Sequence, residues 1–144
     1  MMTNDFANWL AQNGLVEAFT TTAGDALFVN LQKRFGVLKK CNDYGAQSFY
    51  LDDIFSIQTK DDEHLVAEWN RMTGWRTGER STRYSTNEVY IIIRFANQTQ
   101  VKLQVFHGTK GNISRDTYDH ANLYNYACQL TQILYSFATG AGNQ

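Results

Sequence analysis

The densest grouping of side chains able to do chemistry is the stretch Trp69–Tyr84. It holds Arg71, Arg76, Arg80 and Arg83 together with Trp69, Trp75 and Tyr84, and Glu79 is its single acidic residue. Guanidinium groups pair well with phosphates and carboxylates, and arginine beside tryptophan is the combination enriched where partners bind. These seven residues are the candidate partner-binding surface. The competing reading places Trp69 and Trp75 in the core or on a rim, with the arginines on a solvated loop. The glycines and hydroxyl residues around them predict a long polar loop over 70–85, with the arginines largely exposed on it.

Other groupings point less clearly to a reaction. Gly74 and Gly78 enclose three residues where a phosphate-binding loop has four, and Glu79 stands where its lysine belongs, so a carboxylate would repel the phosphate. Asp61-Asp62-Glu63-His64 gathers metal-ligand types, yet neighbours on a strand point to alternate sides and no calcium-loop spacing follows. It reads as a solvated turn whose charges discourage edge pairing. Asp116 and His120 are one helical turn apart with no third ligand to name, and His107 reads as a loop residue at a strand end. There is no nucleophile-elbow motif, and neither Cys41 nor Cys128 has a local base, so both are read as structural thiols. No catalytic residue, cofactor or metal is expected.

Composition narrows the class. At 43% hydrophobic and 19% charged residues, the chain is neither apolar enough to be mainly membrane nor polar enough to stay unfolded. Its 144 residues fit one domain, 1–144, and its formal charge of −1 offers no general attraction to nucleic acid, so none is expected as a partner. The longest apolar runs, such as Val89–Ile93, are too short to cross a bilayer. Met1–Val16 lacks the apolar centre of a signal peptide, and the expectation is a cytoplasmic chain with reduced cysteines.

The elements that must position these residues follow from periodicity. Thr3–Gln12 places Phe6, Trp9 and Leu10 on one face of a short helix that ends at Asn13-Gly14 and must dock elsewhere to be stable. Strands are expected near Ala26–Leu31, Phe35–Lys40, Gln47–Leu51, Ile54–Thr59 and Leu65–Trp69. The hairpin Glu88–Phe95 with Gln100–His107 is the clearest, since Val89, Ile91, Ile93 and Phe95 alternate against Val101, Leu103 and Val105. Arg94, Lys102 and Gln104 fall on its wet face. Ser114 reads as the N-cap of a last helix through Ala138, with Leu123, Ala127, Leu130, Leu134 and Phe137 on its buried stripe, packed on that hairpin, and Gly140 and Gly142 ending it. Helix, antiparallel strands, then a long helix is an α+β plan.

Within that plan, Ala26-Leu-Phe-Val-Asn, Arg34-Phe-Gly-Val and Tyr50-Leu-Asp-Asp-Ile-Phe-Ser-Ile carry a strand, a turn and a D-I-x-x-I strand. This series resembles the opening strands of bacterial pleckstrin-homology-like (PH-like) domains, and the likeness runs over 24–138, leaving 1–13 as an accessory helix. The resemblance implies a strongly bent antiparallel sheet or partly open barrel of about seven strands, with a C-terminal capping helix. The expected function is a non-enzymatic, cytoplasmic interaction module that binds a protein or peptide. Two alternatives stay open: anionic lipid or phosphate headgroup binding through the Arg71–Arg83 loop, as in the better-known PH relatives, and an enzyme acting on a small molecule.

Overall fold

The computed structural model describes residues 4–41, 46–78, 85–108, 113–114 and 118–140. The chain is α+β. A first helix, α1 (Asn4–Gln12), leads into β1 (Val16–Thr20), β2 (Ala26–Asn30), β3 (Phe35–Lys39) and β4 (Ala46–Tyr50), which form a four-stranded antiparallel meander. A short 3-10 turn at Leu51–Asp53 then starts a second sheet. Its strands are β5 (Ile54–Asp61), β6 (His64–Asn70), β7 (Gly74–Thr77), β9 (Glu88–Phe95) and β10 (Gln100–His107), and the two-residue strands β8 (Ser85–Thr86) and β11 (Ile113–Ser114) pair with each other. The last helix, α2, is Tyr118–Thr139.

The second sheet has the order β10-β9-β5-β6-β7, with every neighbouring pair antiparallel. Three hairpin-linked strands followed by one that returns beside the first is a Greek-key order. The five strands expected between Ala26 and Trp69 form at or within one residue of their expected bounds, except that β5 runs on two residues to Asp61, and the hairpin Glu88–Phe95 with Gln100–His107 has the expected bounds. One expectation is corrected. Residues 74–77 are strand, not loop. Val16–Thr20 adds a strand to those delimited above. Ser114 pairs with Ser85 in the small ladder, and the helix start expected just after it falls on 115–117, outside the described residues.

Burial explains the runs in β2 and β3. Leu27, Val29 and Leu38 face the main core, while the residues between them, Phe28 and Val37, face away from it into a second cluster under α1. Both faces of these strands are covered, so their sequences read as continuous apolar runs rather than alternation. Helix α1 docks through buried Leu10 and through Phe6, whose ring meets Phe28 edge-on at 5.8 Å, while Trp9 stacks on Phe6 and stays half-exposed. The main core joins both sheets to α2. Ala127, Leu130, Leu134 and Ala138 are buried, and Leu123 and Phe137 pack at its margin. The helix lies chiefly across β5 and the 3-10 turn, touching β9 less, so the expected hairpin contact is shifted by one strand. Gly140, at φ +73°, ends it in the left-handed conformation that glycine adopts without strain.

Two polar clusters tie the layers together. Asp25, only 2% exposed, sits in the turn between β1 and β2. Its Oδ1 accepts the Cys41 N–H at 2.9 Å, and its Oδ2 accepts the Gln104 N–H at 2.8 Å and the Lys40 ammonium. Beside it, the Thr21 and Thr22 hydroxyls donate to the carbonyls of Gln104 and Val105, both at 2.6 Å. The outer edge of β10 is thereby met at Gln104 and Val105 by side chains of the turn between β1 and β2. At the far corner, Arg34 and Arg71 each donate to the Ala138 carbonyl at 3.3 Å, placing positive charge at the end of α2 where the helix dipole favours it.

Asp25→Ala would leave two backbone N–H groups and an ammonium without their acceptor. The expected loss is about 3 kcal/mol, because stranded partners of a buried charge are costly. Urea denaturation measures it, and a change within experimental scatter would show that the corner does not hold the sheets together.

Candidate functional site

The candidate stretch begins on a strand, and its first turn is built by side-chain chemistry. Asn70 Oδ1 accepts the N–H groups of Met72 at 2.8 Å and Thr73 at 3.4 Å, and Gly74 takes φ +79°, which returns the chain onto β6. Trp75 lies opposite Trp69, and Arg76 lies opposite Glu68. Side chains alternate across a strand, so the two tryptophans share the face toward α2, and Arg76 with Glu68 share the outer face.

This alternation separates the candidate residues. Trp69 is a core residue, 7% exposed, with its ring edge-on to Tyr135 at 5.5 Å and the Arg71 guanidinium over its face at 5.3 Å. Arg71 turns inward as well, since its Nη2 and Nε donate to the Ile54 carbonyl at 2.8 and 3.2 Å besides capping α2. Arg71 thus serves the fold although part of it is exposed. Trp75 differs: it is 42% exposed, and its ring rests against Tyr135 at 5.1 Å. Arg76 has a side chain 61% exposed and reaches Glu68 Oε1 through Nε at 2.7 Å. Arg80, Arg83 and Tyr84 lie outside the described residues, as does Glu79.

A hollow of about 460 Å³ opens between β7 and α2. Ala67, Trp75, Arg76 and Thr77 line it from the sheet, and Cys128, Thr131 and Gln132 from the helix. Thr131 is buried, with its hydroxyl held by Thr59 and by the Ala127 carbonyl at 2.7 Å, so its methyl side is available to the hollow's wall. The helix wall was missed by the sequence reading, although Cys128 and Tyr135 stand two turns apart at the edge of the apolar stripe. A second hollow, of about 450 Å³, lies between Lys40, Gln47, Gln100 and Lys102. Its two ammonium groups are engaged, Lys40 by Asp25 and Lys102 by Glu88 and the face of Tyr90.

The acidic run does not behave as a solvated turn. Asp61 and Asp62 are buried. Asp61 accepts the Thr86 hydroxyl at 2.7 Å and meets His120 Nε2 at 3.2 Å, while Asp62 Oδ1 accepts the N–H groups of Asn87 and Glu88 at 3.1 and 3.0 Å. Together they fasten the returning chain and the start of α2 to the β5–β6 turn. Among the described residues, no three His, Cys, Asp or Glu side chains gather as a metal site, and Asp116 lies outside those residues. No helix among them is long and apolar enough to cross a membrane. No family model matches the chain, and comparison with curated proteins and with solved structures finds no match.

Two groups near the hollow have shifted acidities. Burial opposes the charged form of Glu68, but hydrogen bonds from Arg76 and Gln58 and the charges of Arg76 and Arg94 outweigh it, holding the carboxyl below its ordinary 4.5. A lowered folded value stabilises the fold above the unfolded one and is lost as pH falls through the folded value. Glu68→Gln is expected to cost about 1 kcal/mol at neutral pH, a modest figure because Arg76 is exposed to screening solvent. The difference from the parent should shrink as acid titrates the parent below 4.5. Urea denaturation across that range checks the sign.

Burial pushes the Cys128 thiol up, whereas Cys41 is exposed. The thiolate is the reactive form, so iodoacetamide at mildly alkaline pH is expected to alkylate Cys41 well before Cys128. Peptide mass mapping over time reads the two rates, and equal rates would mean that the hollow does not shield its thiol.

Proposed function

We propose that this chain is a non-enzymatic interaction module of PH-like architecture that binds a protein or peptide partner on the face shared by β7 and α2. One observation carries the reading: Trp75 stands 42% exposed, braced by Tyr135, beside the hollow of about 460 Å³. A tryptophan held rigid at the lip of a concave, largely apolar site has much to gain from a partner that covers it.

The PH-like part of the reading is supported by the antiparallel meander, the second sheet packed across it and the closing helix. The five strands and Greek-key order of the second sheet exceed the simpler plan that the resemblance implies. Headgroup binding through the arginine stretch has less support, because Arg71 is spent on Ile54 and Ala138 and Arg76 is paired with Glu68.

Linear peptides selected by display against the full chain provide the test. Selected peptides are expected to lose about 30-fold in affinity toward Trp75→Ala, the size typical of an anchoring aromatic residue. Co-sedimentation with phosphatidylserine vesicles should remain at the level of neutral vesicles. Binders indifferent to Trp75→Ala, or sedimentation specific to the anionic vesicles, would overturn the reading.

A further inference from the structure

We infer that the partner binds as an added strand along the outer edge of β7, presenting an apolar residue on each side of an acidic one. The inference rests on the proposed reading of the β7–α2 face and specifies how that face is used.

The register supplies the first step. Gly78 N–H donates to the Val66 carbonyl at 3.0 Å, so the bonded pairs alternate from there to Glu68 with Arg76 and Asn70 with Gly74. The residues between, Trp75 and Thr77, direct their own N–H and C=O groups away from β6. As β7 ends the sheet, no described strand pairs with them. The edge of β10 at the other end is treated differently, since Thr21, Thr22, Asp25 and Lys40 satisfy it. A row of outward backbone groups is matched by an extended backbone and by little else.

Side-chain alternation supplies the second step. Partner residues opposite Trp75 and Thr77 would share their face, toward α2, where the hollow is walled by Ala67, Cys128 and Thr131. These surfaces accept aliphatic side chains. The residue between them would fall beside Arg76, whose 61% exposed guanidinium is held through Nε alone by Glu68. An aspartate or glutamate is the complement there, because like charges across a strand pair repel and opposite charges attract. Four residues of edge with a cation at the third position therefore select against arbitrary strands while admitting this pattern.

The experiment uses the display-selected peptides as probes. Thr77→Pro removes an outward N–H and no bond to β6, and N-methylation of alternate peptide residues removes the same bond from the other partner. Both changes are expected to weaken binding by about tenfold, the worth of one such bond, while the bound peptide slows alkylation of Cys128 and leaves Cys41 unchanged. The selected sequences should be enriched in the apolar-acidic-apolar pattern. Peptides that need Trp75 yet tolerate both Thr77→Pro and every N-methylation would overturn strand addition and leave peptide binding standing. If no peptide depends on Trp75, both fall together. A concentration-dependent dimer that Thr77→Pro converts to monomer would assign the edge to a second copy and overturn the peptide as its occupant.

Discussion

The carboxylate of Asp25 is where the two sheets are made into one structure. A buried charge is tolerable only if its lone pairs are filled, and here they are filled from three directions: the chain leaving β3, the edge of β10, and a lysine whose ammonium also reaches the Lys102 carbonyl. The same corner meets the outer edge of β10 from Lys102 to Val105. At the other end of the second sheet no described strand pairs with the outer edge of β7, on which Trp75 stands half-exposed.

The opposite corner shows how residues with the chemistry of a binding site can be consumed by the fold. Arg34 is fixed by Asp52 at 2.8 Å, and Arg71 by Ile54, and both then reach the last turn of α2. Helix carbonyls left over at a C-terminus need donors, and two guanidinium groups meet that need from different turns. The helix is thus held at its end as well as along its apolar stripe, which keeps Tyr135 in place between the two tryptophans. The position of Trp75 is set by this chain of contacts rather than by its own turn alone.

What could be read from the sequence divides by how far away the deciding partner lies. Alternation in Glu88–His107 and the doubly covered runs in β2 and β3 are local, and the strand bounds followed from them. β7 was hidden because arginine, threonine and glycine suggest a loop, although the Asn70 to Gly74 turn flanked by Trp69 and Trp75 is a hairpin signal. Asp61 and Asp62 read as wet because their partners, Thr86, Asn87, Glu88 and His120, come much later in the chain. Of the site, Trp75 and Arg76 were legible by type, whereas the wall at Cys128 and Thr131 required the packing of α2.

The Greek-key order also governs how the chain can assemble. β5 is the central strand of its sheet, yet one of its two neighbours, β9, is supplied only after β6, β7 and the returning segment have passed. Closing so large a loop is entropically slow, and non-local strand pairing sets the pace of folding in β-rich chains. During synthesis, the edge of β5 that will meet β9 stays bare while the isoleucines of both strands await each other. Asp61 and Asp62 grip the returning chain at one end of that pairing, next to Val89, and so shorten the span that must still be closed once those contacts form.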